Sequence, residues 1–250
     1  VGYVLGHFFP EGANVYNTFH SRQGNMEETP PEQPASGRRL ETPLFVLISG
    51  RTGSACESVA YSLQSAGRAT IVGEPSAGGA NPGGALPVGD NLAVFVSFAT
   101  PINPITGANW EGAGVQPNVA APVAEALTRA RALALQAALR APADEQAARE
   151  AQWALDSLNA ESAAYPTTRS LRDYAGDYGA RSIAIEGNRL VLHRDRRPAL
   201  VLLPLERDLF AVTGAAPLQR VRFERNARGR ITGMTLTLVD GQEFHDLRQN

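Results

Sequence analysis

The chain has 250 residues, a formal net charge of −2 and 43% hydrophobic residues, enough for one large or two small globular domains. The near-neutral charge, without an extensive basic cluster, argues against nucleic acid as a partner, and the single cysteine, Cys56, excludes an intrachain disulfide framework. No stretch reaches the roughly 18 to 20 apolar residues of a membrane-spanning helix. Four scattered histidines and one cysteine do not make a metal site, and no cofactor is predicted.

The first half of the chain predicts alternating strands and helices. Residues 1–9 are typical of a helix or a strand–helix remnant, and the Pro-rich residues 21–39 predict a long exposed loop or hairpin. Residues 55–66 have the apolar spacing of an amphipathic helix. Three short runs are predicted strands, the first with the continuous apolar character of a strand buried on both faces: residues 44–48, 70–72 and 92–98. A helix between parallel strands indicates an α/β layered domain.

The second half predicts helices followed by an all-β segment. Residues 123–139 are Ala- and Leu-rich, and a further helix begins near Pro142 and ends before the Tyr165-Pro166 pair. From residue 170 onward, apolar alternation and turn signals at short intervals predict an antiparallel meander of seven or eight strands, as a small barrel or a curved sheet. The predicted organisation has three parts: residues 1–122, 123–165 and 166–250.

The turn after residues 44–48 is of interest because it places a serine at the start of a predicted helix. The predicted strand at residues 44–48 is followed by a polar, glycine-bearing turn and then by Ser54 and the predicted helix. A hydroxyl at a helix N-terminus lies beside unpaired backbone N–H groups and the positive end of the helix dipole. Ser54 is therefore either a helix N-cap or a nucleophile whose oxyanion would find donors in place.

Motifs around and after Ser54 add to this reading. The segment 52–57 reads TGSACE, residues 68–74 read RATIVGE, residues 78–84 read GGANPGG and residues 106–117 read TGANWEGAGVQP. In this order and spacing the set resembles the C-terminal-processing (tail-specific) serine peptidases, over roughly residues 1–125. It looks most like the branch that includes the tricorn core protease and the interphotoreceptor retinoid-binding proteins. The resemblance implies a ClpP/crotonase-like α/β domain, a peptide or protein substrate and an extracytoplasmic, for example periplasmic, location.

The motifs do not identify the base that would activate Ser54. One branch of the family uses a lysine, but this chain contains no lysine, and arginine stays protonated. The other branch uses histidine and glutamate, and its glutamate corresponds to Glu111, which could orient an imidazole or could instead cap or pair in a turn. The histidine lies upstream in the family, and neither His7 nor His20 sits in a matching motif. We therefore expect the chain to be the C-terminal part of a longer protein and to be inactive alone.

Further residues complete the predicted site. The amide of Ala55 is the expected oxyanion donor, and Gly78 and Gly79 are expected to let the backbone pass close to a bound peptide. Trp110 is expected either to line the substrate pocket or to pack in the core. Cys56 is expected to be a small buried residue of the helix.

Two other functions fit the sequence. On the same fold, a chain whose pocket is apolar and lacks a polar Ser54–Glu111 pair would be a non-catalytic module that binds ligands or peptides. Alternatively, residues 170–250, which contain no catalytic constellation, could dock substrate or cell envelope.

Overall fold

A computed structural model describes residues 1–28, 37–161, 163 and 168–249. The chain divides into two compact units, residues 1–134 and residues 135–250. The centre of the predicted Pro-rich loop (residues 29–36) and the predicted helix break at Tyr165-Pro166 lie outside the described residues. The three-part division at residues 122 and 165 stays a prediction.

The first unit contains a parallel sheet, an antiparallel sheet and a separate hairpin. Its elements in chain order are α1 (Gly2–Gly6), β1 (Thr18–Ser21), β2 (Gly24–Glu27), β3 (Leu44–Ile48), α2 (Ala55–Ser65), β4 (Ala69–Gly73), β5 (Gly83–Gly89), β6 (Leu92–Ser97), β7 (Ala99–Ile102), β8 (Val119–Ala120) and α3 (Val123–Arg140), whose last turns fall in the second unit. The parallel sheet has the order β3-β4-β8, and α2 connects β3 to β4, as the alternation of strand and helix predicted. The antiparallel sheet has the order β2-β1-β7.

Helix α2 fixes the position of the candidate serine because it packs into two apolar clusters. Ala60 belongs to a cluster that includes Ile48 and Ile71 from the parallel sheet. Leu63 belongs to a second cluster that includes Leu5 from α1. These contacts bury one face of α2 and leave the other for the polar network described below.

One expectation about burial is wrong in this unit. The side chain of Leu47 is 44% exposed, so β3 is not buried on both faces. Within the described residues β3 is an edge strand that pairs only with β4. The apolar sequence of a strand does not by itself provide a neighbouring element that would bury it. The predicted strand at residues 92–98 exists as β6, but it pairs with β5 in a hairpin whose apolar side chains, such as Phe95, are exposed.

The second unit contains two helices followed by a nearly closed, eight-stranded antiparallel barrel. Its further elements are α4 (Glu145–Glu161), α5 (Thr168–Leu171), β9 (Gly176–Tyr178), β10 (Arg181–Glu186), β11 (Arg189–Arg194), β12 (Leu200–Glu206), β13 (Leu209–Val212), β14 (Gln219–Arg225), β15 (Ile231–Leu238) and β16 (Glu243–Leu247). Each strand pairs with the next along the chain, so the predicted meander is confirmed. The first and last strands also meet through a bridge between Tyr178 and Arg248 and a 2.8 Å hydrogen bond from Gln249 N–H to the Asp177 carbonyl.

A partly buried ion pair connects two strand ends of the barrel to its aromatic core. Arg225 Nε donates to both carboxylate oxygens of Asp208, at 2.9 and 3.0 Å, and the Tyr174 hydroxyl donates to the same carboxylate at 2.9 Å. The Tyr174 ring in turn packs against Phe210 and Phe223. Burial acts to raise the pKa of Asp208, but the hydrogen bonds from Arg225 and Tyr174 outweigh it and hold the pKa below its usual value.

Replacing Asp208 with Asn tests this ion pair. Asp208→Asn should lower the free energy of unfolding by about 2 to 4 kcal/mol, because the Arg225 guanidinium, whose side chain is 17% exposed, would lose the carboxylate to which it is hydrogen-bonded and keep only the more distant, exposed Asp173 at 3.6 Å. Asn also tolerates the left-handed backbone at this position (φ 64°). Urea denaturation measures the effect.

The exposed pair between Arg222 and Glu206 provides the control, since both side chains are more than half exposed. Glu206→Gln should cost less than about 1 kcal/mol. Equal losses in the two variants would show that the Asp208 carboxylate has no special structural role.

Candidate active site

Ser54 lies at a sharp junction between the turn after β3 and the first residue of α2. The turn is closed by a 2.8 Å hydrogen bond from Thr52 N–H to the Ser49 carbonyl. The Ser54 backbone has φ 53° and ψ −121°, a conformation that costs a non-glycine residue about 1 to 3 kcal/mol. Its side chain is exposed. The junction thus holds a serine hydroxyl outward on a strained backbone, as in the strand-to-helix elbows of serine hydrolases.

The amide of Ala55 follows directly and is available to a ligand. Ala55 is exposed, and its N–H has no acceptor in the part of the chain that the structure describes. An unpaired donor beside the serine is what an oxyanion would require.

The buried carboxylate of Glu57 connects this junction to the loop after β4. Its Oε2 accepts hydrogen bonds from the backbone amides of Ser54 at 2.8 Å and Gly79 at 3.0 Å. Its Oε1 accepts from the Ser76 hydroxyl at 2.5 Å and from the Gly78 amide at 2.7 Å. Glu57 is 0% exposed, so these four donors replace water completely. Burial acts to raise the pKa of Glu57, but the four hydrogen bonds outweigh it and lower the pKa below its usual value.

Glu111 is bound by the next two amides of the same loop. Ala80 N–H and Asn81 N–H donate to Glu111 Oε2 at 2.7 and 2.8 Å. Glu111 Oε1 has no partner among the described residues, so it can accept a hydrogen bond from a further group. The carboxylate is thus held in place at one oxygen and free at the other.

Close backbone contacts fix the segment that carries Glu111 against the loop after β4. Gly112 N–H donates to the Gly78 carbonyl at 2.8 Å, and Val115 N–H donates to the Ser76 hydroxyl at 2.6 Å. A Cβ at Gly78 would lie 3.0 Å from the Gly114 nitrogen, and the φ of +80° also favours glycine there. The two loops therefore pack backbone to backbone.

The network limits how far Ser54 and Glu111 can lie apart. The amides of Ser54 and Gly79 share one oxygen of Glu57, and the next amide, that of Ala80, donates to Glu111. These contacts keep the Ser54 nitrogen within about 12 Å of the Glu111 carboxylate. An imidazole ring with two hydrogen bonds fits within that span.

The structure also places the other residues predicted for this site. Trp110 is 2% exposed and packs against Tyr61, which agrees with the core-packing alternative; contact with a substrate stays a prediction. The amides of Gly78 and Gly79 are engaged by Glu57, so any peptide contact by these glycines would use other atoms. The prediction that Cys56 is buried is wrong: it lies in the exposed first turn of α2, because the buried face of the helix begins at Glu57.

Sequence reasoning missed a second buried polar group that anchors α2. The Asn17 amide, which is 0% exposed, donates to the Ser58 hydroxyl at 2.8 Å and accepts from the Asn103 side chain at 3.0 Å. Ser58 in turn donates to Glu28 at 3.1 Å, and burial raises the pKa of Glu28 against the opposing hydrogen bonds from Ser58 and Asn17. No local signal marks Asn17, whereas Glu57 could have been found from the Ser-x-x-Glu capping pattern.

The histidines and potential metal ligands do not complete the site within the described residues. His20 is exposed on β1, while His193 and His245 lie on barrel strands beside acidic side chains. No group of three or more histidine, cysteine or acidic side chains in the described ranges could hold a metal ion. None of the described helices is both long and apolar enough to cross a bilayer.

The chain is similar to several known proteins over part of its length. A carboxy-terminal-processing protease from Bartonella bacilliformis is 38% identical over 79 residues, which is 32% of this chain and 18% of that protein. The photosystem II D1 C-terminal processing protease aligns with 24% identity and a TM-score of 0.38, covering 49% of this chain and 31% of that one. A lipoprotein from Streptococcus agalactiae aligns with 13% identity and a TM-score of 0.40, covering 53% and 48%.

A family model matches most of the first unit. Residues 3–121, which are 119 of the 250 residues, match the family model "Peptidase family S41". The chain spans about a fifth of the length of its curated relative.

Substitutions at Ser54 test the strain in its backbone. At an ordinary helical position Ala is more stable than Gly by about 1 kcal/mol. At Ser54 the order should reverse, with Ser54→Gly more stable than Ser54→Ala by about 1 kcal/mol, because only glycine adopts φ 53° and ψ −121° without strain. Urea unfolding of both variants gives the difference, and an Ala variant as stable as the Gly variant would contradict the strained junction.

Replacing Glu57 with Gln tests the carboxylate network. At pH 7, Glu57→Gln should lower the free energy of unfolding by about 2 to 4 kcal/mol, because an amide cannot accept from four donors. The folded pKa of Glu57 lies below its ordinary value of 4.5, so its contribution is complete above that pH and is lost as the pH falls through the folded pKa. The difference between wild type and variant should therefore shrink on acidification below about pH 4.5.

Glu125→Gln is the matched control, since Glu125 is exposed in the first turn of α3. It should change the free energy of unfolding by less than about 0.5 kcal/mol at every pH. A pH-independent loss in Glu57→Gln would argue against an ionised carboxylate in the native state.

Proposed function

We propose that this chain carries the nucleophile and the orienting carboxylate of a serine-type peptidase of the tail-specific kind. Ser54 would form the acyl-enzyme, and Glu111 would orient a histidine base supplied from outside residues 1–250. The match of residues 3–121 to the model of peptidase family S41 supports peptide-bond hydrolysis as the reaction. The observation that carries the assignment of residues is the exposed Ser54, linked through Glu57 to the loop that holds Glu111.

The proposed reaction begins with attack by the Ser54 hydroxyl on the carbonyl carbon of the scissile bond. The histidine takes the hydroxyl proton, and Glu111 Oε1 accepts the other ring N–H and stabilises the imidazolium. The carbonyl oxygen becomes an oxyanion next to the free N–H of Ala55. The C–N bond then breaks, the histidine returns the proton to the departing amine, and water hydrolyses the ester on Ser54 by the same steps.

The amino-acid content of the chain restricts the identity of the base. Because the chain contains no lysine, a serine–lysine pair cannot form within it, and a guanidinium does not deprotonate in the required range. A carboxylate with one occupied and one free oxygen is suited to orienting an imidazole rather than to accepting the serine proton itself. A peptide or protein substrate and an extracytoplasmic location, as in the resemblance above, are parts of the same proposal.

Labelling with a fluorophosphonate probe tests the proposal in the product of the complete reading frame. Wild type should label, Ser54→Ala should not label at all, and Glu111→Gln should label at least about tenfold more slowly. Ser65→Ala, on the last residue of the same helix, and Glu125→Gln are the controls and should label as wild type.

The outcomes separate the parts of the proposal. Labelling of the complete product but not of residues 1–250 alone would support a base outside this chain, whereas equal labelling would place the base within it. Absence of labelling in correctly folded wild type would overturn the peptidase assignment and favour a non-catalytic binding module on the same fold.

A further inference from the structure

The barrel contains an arginine-lined cavity that the proposed peptidase chemistry does not use. The cavity measures about 510 Å³ and lies at the end of the barrel where the β14–β15 turn, the segment before β9 and the end of β16 come together. Four arginines line it, and one aspartate is the single acidic residue in its lining: Arg172, Arg225, Arg230, Arg248 and Asp173. Over residues 168–249 the sequence contains fourteen arginines and ten acidic residues.

Only one of these arginines is neutralised by nearby carboxylates. Arg225 pairs with Asp208 at 2.9 Å and lies 3.6 Å from Asp173. Arg248 donates only to neutral main-chain carbonyls in this region, and Arg172 and Arg230 have no side-chain hydrogen bond or ion pair among the described residues. Three positive charges therefore line one concavity with no ion pair to a carboxylate of the described residues, which raises the local concentration of anions.

The positions of two of these arginines are fixed before any ligand binds: the side chain of Arg248 and the backbone of Arg230. Arg248 donates to the carbonyls of Asp173 at 2.8 Å and Ala175 at 2.6 Å. Its side chain also lies against Gly176, where a Cβ would approach Arg248 Nε to 3.0 Å. Arg230 belongs to a turn in which the Asn226 side chain accepts the Arg230 amide at 3.1 Å. An arriving ligand would therefore order the exposed side chains of Arg172 and Arg230 but little of the backbone that carries Arg230 and Arg248, which limits the entropic cost of binding.

We propose that this cavity binds a small molecule through a phosphate or carboxylate group, held by Arg172, Arg230 and Arg248. The planar guanidinium presents paired N–H donors that match the oxygens of either group. A volume of about 510 Å³ exceeds that of a single oxyanion and is in the range of ordinary small-molecule pockets. The carboxylate of Asp173, which is exposed beside Arg225, lies within reach of a cationic or hydroxyl group on the same ligand.

Nuclear magnetic resonance of the arginine side chains provides a direct test on the ¹⁵N-labelled chain. Inorganic phosphate and acetate are titrated separately, with sodium chloride keeping the ionic strength constant. The Nε–Hε signals of Arg172, Arg230 and Arg248 should shift in a saturable way with at least one of the two anions. Tighter binding of phosphate would identify a phosphate-bearing ligand, and tighter binding of acetate a carboxylate-bearing ligand.

Two substitutions in the cavity and one outside it complete the design. The double variant Arg172→Gln with Arg230→Gln should weaken binding at least about tenfold, because it removes two charge-assisted contacts. Arg228→Gln is the matched control, since Arg228 lies in the same turn but does not line the cavity, and binding should change less than about twofold. If the double variant unfolds, the single variant Arg230→Gln replaces it in the titration, because the Arg230 side chain makes no hydrogen bond or ion pair among the described residues.

Three results would overturn the proposal. These are equal shifts of Arg228 and the cavity arginines, shifts that chloride reproduces at the same ionic strength, and cavity variants that bind with wild-type affinity. Each would show that the anions screen a solvated surface rather than occupy a site.

Discussion

The carboxylate of Glu57 is the constraint on which the candidate active site depends. It takes one hydrogen bond from the start of α2 and three from the loop after β4, all in a water-free position. The Ser76 hydroxyl and the Gly78 amide are themselves buried, so each would cost about 1 to 3 kcal/mol if it lost the Glu57 carboxylate as its acceptor. Because the same loop then binds Glu111, the geometry of both proposed functional side chains follows from one buried charge.

The strain at Ser54 is understandable in this setting. A backbone that is unfavourable for serine persists only where its surroundings over-determine it. Here the turn after β3, the packing of α2 into two apolar clusters and the bond from Ser54 N–H to Glu57 supply that constraint. The result is an exposed hydroxyl next to a free amide, with an oriented carboxylate held by a neighbouring loop.

The two units bury their apolar surface in different ways. The first unit depends on α2 and α3 to cover a short parallel sheet, and its β5–β6 hairpin keeps apolar side chains exposed. The second unit nearly closes its sheet, since its first and last strands meet at the bridge between Tyr178 and Arg248, and it fills the interior with its own side chains. The proposed functions also differ between the units: covalent chemistry is proposed for the first and anion binding for the second.

Sequence alone determined the local elements, because strand alternation, helical spacing and turn residues are set by near neighbours. It predicted α2 within one residue, the α3 and α4 helices and a meander of seven or eight strands, and it singled out Ser54 and Glu111. Tertiary structure decided what distant residues do to one another: the exposure of Cys56 and Leu47, the burial of Trp110, the four donors around Glu57 and the arginine cavity. These features depend on segments tens of residues apart meeting in space, and a one-dimensional pattern carries no measure of that proximity.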